Sequence, residues 1–426
     1  MPDLNNRIVI IGGGFGGLYA AKALTGNTVT VTLIDRRNFH LFQPLLYQVA
    51  TGGLSPADIA YPLRTVFKRQ QNLQVILGEV IDIDFTEKHV TVEDRKYVYD
   101  FLIIATGSQN YYFGHNEWAK QAPGLKNIEE ATFIRGRILS AFEQAELETD
   151  SENRAALLTF AIIGGGPAGV EMAGAIAELS RLTLLHEFRN INPEDARILL
   201  IEGADRILPP YPASLSQKAA RSLQRLGIEI MTRTKVTQID SRAVTAETEK
   251  GRVTIAAHTV LWTAGVTGSS LGGSIEKNTS IVRDKSGRIA VDKYCRLPGY
   301  NDVFVIGDLA LFKDTNSLPL PGTAPVAMQQ GRYVAKVIKS SVKKKDSPPF
   351  RFKNRGNLAV IGRSSAVAFS GKLKFSGIFA WLLWLFVHLM YLVGFENRLL
   401  VFLQWAFNYF TKNKSARLIT NLKYMD

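Results

Sequence analysis

Two stretches of the chain, about 150 residues apart, share one pattern of apolar and polar positions. Arg7–Gly17 reads RIVIIGGGFGG, and Phe160–Gly169 reads FAIIGGGPAG. Each is a β-branched apolar run broken by clustered glycines and followed by helix formers, LYAAKAL in the first and VEMAGAIAEL in the second. That order predicts a buried strand, a tight turn and a helix. Each unit then leads to a second apolar strand ending in an acid, VTVTLID at Asp35 and ARILLIE at Glu202. Two further strands, FLIIATGS (101–108) and TVLWTAGV (259–266), end in the same small-residue turn.

Repetition of strand, turn and helix predicts an α/β fold with two Rossmann-type dinucleotide-binding domains, the second inserted within the first. VFVIGDLALF (303–312) reads as another buried strand, ending at Gly307-Asp308. After it come a proline-rich loop, PLPGTAP, and a helix, VAMQQGRYVAKVIKSSV. KKKDSPP (343–349) is the clearest linker, and beyond it the pattern changes. From Phe375 to Phe395 there is no Asp, Glu, Lys or Arg in twenty-one residues, and a second aromatic stretch runs from Leu399 to Phe410. The expected domains are residues 1–112 with 295–345, residues 113–294, and a C-terminal region from 346 to 426.

A chain of 426 residues is long enough for two or three such cores. Its lone cysteine, Cys295, excludes an internal disulfide, a CxxC redox pair, a cysteine zinc site and a cysteine-ligated iron–sulfur cluster. No nucleophilic triad or metal-ligand spacing is present, so the site prediction contains no metal. The opening residues, MPDLNNRIVIIGGG, carry neither a signal nor a transit pattern, which predicts a cytoplasmic start. The net charge of +13 is uneven: from Arg351 onward eleven Lys and Arg face only Glu396 and Asp426. A basic end predicts an anionic partner, lipid or nucleic acid. Apolar aromatics between the basic residues favour lipid and exclude a nucleic-acid recognition face.

Gly12, Gly14 and Gly17 have the spacing in which the first glycine makes the turn, the second admits a pyrophosphate and the third lets helix pack on strand. The phosphates then meet the free N–H groups of the helix N-terminus, and Asp35 can accept ribose hydroxyls. Gly164, Gly166, Gly169 and Glu202 repeat the set, although RLTLLHEFRNINPED lies between the helix and the acid and reads as an insertion. A carboxylate at Glu202 pairs with a 2′-hydroxyl and repels a 2′-phosphate, favouring NADH over NADPH. Arg206 is positioned in sequence to soften that repulsion.

With these motifs in order, the sequence resembles the type II NADH:quinone oxidoreductases, single-subunit NADH dehydrogenases that do not pump protons. The resemblance is carried by GGGFGG (12–17), FQPLLYQVATG (42–52), ATGS (105–108), GGGPAGVE (164–171), LWTAG (261–265), VFVIGDLA (303–310) and AMQQGRYVAK (327–336). It implies a glutathione-reductase-like fold with FAD in the first unit and NADH in the second. Gly12, Gly14, Phe15, Gly16, Gly17, Asp35, Gln48, Ala105, Thr106, Gly107, Asp308 and Ala327 would then serve FAD. Gly164, Gly166, Pro167, Gly169, Glu202 and Gly265 would serve NADH. Glu171, Gln329 and Gln330 are implied near the nicotinamide and quinone. Where the family often has a glutamine, this chain has Pro325, which offers no side-chain donor.

The resemblance further implies hydride transfer from NADH to FAD, then reduction of a membrane quinone, and it is compatible with a homodimer. It favours peripheral, monotopic attachment on the cytoplasmic side of a membrane through C-terminal helices lying in the interface. Trp381, Trp384, Tyr391, Trp405 and Tyr409 are interfacial aromatics by type, and His388 among them reads as packing. By length alone Phe375–Phe395 also permits a spanning helix, and core or dimer packing is a third reading. Among rival functions, a sulfide:quinone reductase needs a cysteine pair. A soluble reductase for a small redox protein leaves the apolar tail unexplained, and an NADH-sensing flavoprotein differs only in lacking turnover with quinone.

Overall fold

The computed structural model describes residues 6–26 and 28–420; the N-terminal residues on which the cytoplasmic reading rests, and the last six, lie outside the described residues. The chain divides into two compact units, one formed by 1–41, 60–109 and 266–354, the other by 42–59, 110–265 and 355–426.

In the first unit the β-branched runs form a five-stranded parallel sheet, ordered Val303–Val305, Phe101–Ile104, Asn6–Ile11, Val29–Asp35, Leu73–Leu77. Continuous apolar runs suit a sheet covered on both faces. The strand Asn6–Ile11 lies inside the sheet with later strands on either side, so its C-terminal end is the switch point where ligands bind such sheets. Val9, Ile34, Leu102, Ile104 and Val303 pack there against Ile83 and Val90 of a small antiparallel meander. The helices Phe15–Ala23 and Ala324–Val342 touch closely. A Cβ on Gly331 would collide with the carbonyl of Gly16, so this contact needs glycine.

The second unit repeats the plan with a four-stranded parallel sheet, ordered Ile228–Met231, Arg197–Ile201, Thr159–Ile163, Thr259–Trp262. Its own three-stranded meander, Lys235–Ile239, Ala243–Thr248 and Gly251–Ala256, supplies Ile239, Val244 and Ile255 to the core. The predicted insertion before Glu202 is the continuation of the helix Pro167–Glu178 into a π-turn, Leu179–Thr183, followed by a short 3-10 turn at Pro193–Asp195.

Residues 357–377 form a three-stranded antiparallel sheet that leads into the helices Ile378–Tyr391 and Phe395–Thr411. The charge-free stretch is therefore divided: Phe375–Gly377 completes a strand, and Gly394 at φ +87° separates the helices. A helix of 14 residues is about 21 Å long, short of the roughly 30 Å hydrocarbon core. Among the described residues no helix is long and apolar enough to cross a membrane. Phe375–Phe395 is too divided to span, because the sheet takes its first residues and the helix stops at Tyr391, ahead of Gly394.

The two helices face outward with their apolar side. In the first only Ala380 and Trp384 are buried, and in the second only Asn397 and Val401, each pair one turn apart. Phe379, Phe386 and Phe410 are 76%, 63% and 82% exposed. Asn397 fixes its helix by donating to the carbonyls of Ala57 and Asp58, both at 2.9 Å.

Candidate active site

Each glycine turn places its acid against the backbone of the middle glycine. In the first unit Gly12 N–H donates to Ile34 O at 2.8 Å, and Gly13 N–H donates to Asp35 Oδ2 at 2.5 Å. Asp35 Oδ1 accepts from Arg37 N–H at 2.7 Å, and burial pushes this carboxyl above its ordinary range. The second unit repeats the bonds: Gly164 N–H to Ile201 O at 2.8 Å, Gly165 N–H to Glu202 Oε2 at 2.6 Å, and Ala204 N–H to Glu202 Oε1 at 2.8 Å. Any Cβ on Gly17 would strike Gly12 O, and one on Gly169 would strike Gly164 O. Above Gly14 and Gly166 the space is open. These two glycines cap their helices without a side-chain bond, so the first-turn N–H groups are left for an anion. Pro167 fills the first helical position, where its missing N–H costs nothing.

Of the other predicted residues of the first unit, Asp308, Ala327 and Gln330 meet at the Gly307-Asp308 turn. Ser108 Oγ donates to Asp308 Oδ2 at 2.8 Å, and Thr106 Oγ1 lies 2.5 Å from Ser269 Oγ. Gly107 has φ +68° with open space beside it, Ala105 is buried, and Ala327 packs against Gly307. Gln330, fully buried, accepts from Gly307 N–H at 2.8 Å, so it shapes the turn. Gln329 clamps the backbone of Lys353, donating to its carbonyl at 3.0 Å and accepting from its N–H at 2.9 Å.

His40 belongs to no motif in the sequence. Its Nδ1 lies 3.0 Å from Gly13 O, its ring meets Phe15 edge-on, and burial lowers its pKa to about 4. A neutral ring facing a carbonyl must carry its proton on Nδ1, which makes Nε2 a buried acceptor. The residue is separated from the glycines by a whole strand, and no spacing rule joins them.

In the second unit Gly265 adopts φ +73° against Phe113 and the Tyr111 carbonyl. Arg206 is engaged with Pro209 O at 3.0 Å. The helix Pro167–Glu178 carries Glu171, which opens into a cavity of about 130 Å³. Burial pushes the Glu171 carboxyl up to about 8; the Val360 N–H at 3.4 Å and the Trp384 indole offset this only in part. Gln48 lies on the wall, accepting from Trp405 Nε1 at 2.7 Å and donating to the Tyr47 phenolic oxygen at 2.9 Å. Burial first, and the nearby Glu171 second, push the Tyr47 phenol well above its ordinary value. His388 stacks on Trp384 at 4.2 Å between ring centres and is held near pKa 4 by burial, so it stays neutral, as packing requires. Tyr47, Trp384 and Trp405 carry no sequence signature of a site; folding brings them together.

Comparison with known proteins bears on both parts of the chain. Residues 6–331 match the model of the pyridine nucleotide-disulphide oxidoreductase family, and residues 354–412 match that of the NDH2 C-terminal domain. Two type II NADH:quinone oxidoreductases of Mycobacterium tuberculosis, Ndh and NdhA, are each 44% identical. The first alignment covers 99% of this chain and 91% of the relative, the second 98% and 90%. A solved structure of NDH2 from Plasmodium falciparum in complex with NADH has the same fold, with a TM-score of 0.88 at 22% identity over 98% of this chain and all of that one. With both fingerprints built as the sequence requires and near-complete alignment at this identity, the chain belongs to the type II NADH:quinone oxidoreductase family.

Proposed function

We propose that this chain oxidises NADH and reduces a membrane quinone to quinol, with FAD as the intervening carrier and without proton pumping. One observation carries the reading: Glu171, on the helix of the second fingerprint, is buried, which pushes its carboxyl up to about 8, and opens into an aromatic cavity lined by residues of both C-terminal helices. A quinone needs a flat apolar slot and a proton donor, and this cavity offers both.

The residues present fit the cofactor. The open space over Gly14, the uncapped helix start and the Asp35 carboxylate suit a pyrophosphate and a ribose. Gly12, Phe15, Gly16, Gly17, the Ala105–Gly107 turn, Asp308 and Ala327 would hold FAD, with Gln330 keeping the Gly307 turn in shape. FAD, when bound, supplies the two-electron relay between nicotinamide and quinone. Gly164, Gly166, Pro167, Gly169 and Gly265 would position NADH, and Glu202 would take its ribose hydroxyls; Arg206, occupied by Pro209, leaves that carboxylate's preference for NADH intact. Gln48, fixed between Trp405 and Tyr47, presents a preorganised polar wall to the quinone head. Glu171 donates the proton that neutralises the reduced oxygen.

The outward apolar face of the C-terminal helices, flanked by basic residues, supports attachment to an anionic lipid surface from the side on which NADH is found. A sulfide:quinone reading is disfavoured because Cys295 is the chain's sole cysteine and its buried thiol is pushed well up. The test is to add NADH anaerobically, follow bleaching of the flavin absorbance, then add a short-chain quinone. Prompt reoxidation is expected; a flavin that bleaches and stays reduced would point instead to a protein acceptor.

A further inference from the structure

Glu171 is not the cavity's sole acid. Seven residues along the same helix, Glu178 also lines the cavity. Seven residues are two turns, so both carboxyls share one helix face about 10 Å apart. The cavity that both line, about 130 Å³, is large enough to hold water. Exposure rises along this line: Glu171 is buried, Glu178 half-buried, and the neighbouring Lys412 exposed.

Lys414 faces Glu178 from the segment after the last helix. Its Nζ donates to Ala175 O at 3.1 Å, less than one turn before Glu178, and its charge acts on that carboxyl. The segment is pinned in place: Thr183 Oγ1, in the π-turn, donates to Lys412 O at 3.1 Å, and Ala416 N–H donates to Gly52 O at 3.2 Å. From the strand side Arg363 N–H donates to the Glu178 carboxylate. The charged and titratable groups around Glu178 are thus Lys414, Lys412, Arg363, Tyr409, Tyr47 and Glu171. Nothing in the chemistry assigned so far uses Glu178 or Lys414.

We propose that half-buried Glu178, set against Lys414 in the wall of this cavity, reloads Glu171 with the solvent proton that each quinone reduction consumes. The inference rests on the quinone-reductase reading. The balance is NADH + H⁺ + quinone → NAD⁺ + quinol: the electron pair comes from NADH, and one proton comes from solvent. The Glu171 O–H breaks as a quinol O–H forms; Glu178 then returns a proton to Glu171 through cavity water and is itself reprotonated from solvent beside Lys414. Burial raises the Glu178 carboxyl, which favours its holding a proton to pass on, and lowers the Lys414 ammonium.

The test compares Glu178→Gln and Lys414→Gln with the parent enzyme, using NADH and a short-chain quinone at about pH 8.5, where reloading becomes limiting. Quinone-dependent turnover should fall roughly ten-fold in Glu178→Gln and less in Lys414→Gln, and rising imidazole concentration should restore it in both. The parent should be indifferent to imidazole. A merely structural role would lower turnover without any response to buffer, and that result, or unchanged turnover in both variants, overturns the relay. If Glu178→Gln does not fold, Lys414→Gln still decides the matter. A parent enzyme whose NADH-reduced flavin is not reoxidised by quinone would instead overturn the functional reading, and the relay with it.

Discussion

Glu171 shows how one buried carboxyl ties chemistry to stability. Its folded pKa is raised from 4.5 to about 8, so it is protonated at neutral pH and loses its proton as pH climbs through 8. Turnover with quinone should decline over that interval, and Glu171→Gln should lower kcat about 100-fold, as expected when a positioned acid is removed. Stability follows with the same sign. The unfolded chain releases this proton near 4.5 and the folded chain only near 8, so stability present below 4.5 is lost as pH rises to about 8, by about 1.4 kcal/mol per unit at most. Glu171→Gln should therefore be more stable than the parent at pH 8 and equal to it near pH 4, read as urea midpoints. A parent whose midpoint does not move between those pH values would disprove the raised pKa.

At the scale of elements, the two strand–turn–helix units are built alike to the level of single hydrogen bonds, yet they stand in separate sheets. A change in one should spare the other. In Gly169→Ala the new methyl would meet the Gly164 carbonyl, pushing the helix off its strand. The variant is expected to retain bound FAD while its KM for NADH rises at least ten-fold, the cost of misplacing a binding helix by a fraction of an ångström. Loss of the flavin absorbance on purification would show that the second turn also supports the first unit. The π-turn after Glu178 has a comparable local logic: it ends the helix at the acid and aims Thr183 at the C-terminal segment.

At the scale of the molecule, the net charge of +13 and the outward phenylalanines support the proposed attachment to a lipid surface. Neither helix is long enough to span, so the attachment proposed above would rest on exposed apolar side chains and on charge. Alkaline carbonate should release the protein from membranes, and binding to vesicles rich in anionic lipid should weaken with added salt. Phe386→Glu combined with Phe402→Glu should abolish vesicle flotation while turnover with a water-soluble quinone persists. Flotation that survives both substitutions and carbonate would rule out this face as the anchor.

Composition excludes chemistry that needs a cysteine pair, and neighbours along the chain fix the two glycine turns, the strands that feed them and the acids at Asp35 and Glu202. Each is a local arrangement, in which spacing fixes geometry because strand, turn and helix have fixed dimensions. Tertiary structure alone decided that Gln48 is held by Trp405, that Glu171 and Glu178 share one cavity, that His40 sits on Gly13, and that Gln330 serves the Gly307 turn. It also decided that a twenty-one-residue uncharged run is part strand and part short helix rather than a span. Burial is the physical reason. A carboxyl's proton affinity, a glutamine's partner and an apolar helix's environment depend on which distant residues fold over them, and no spacing in the chain records that.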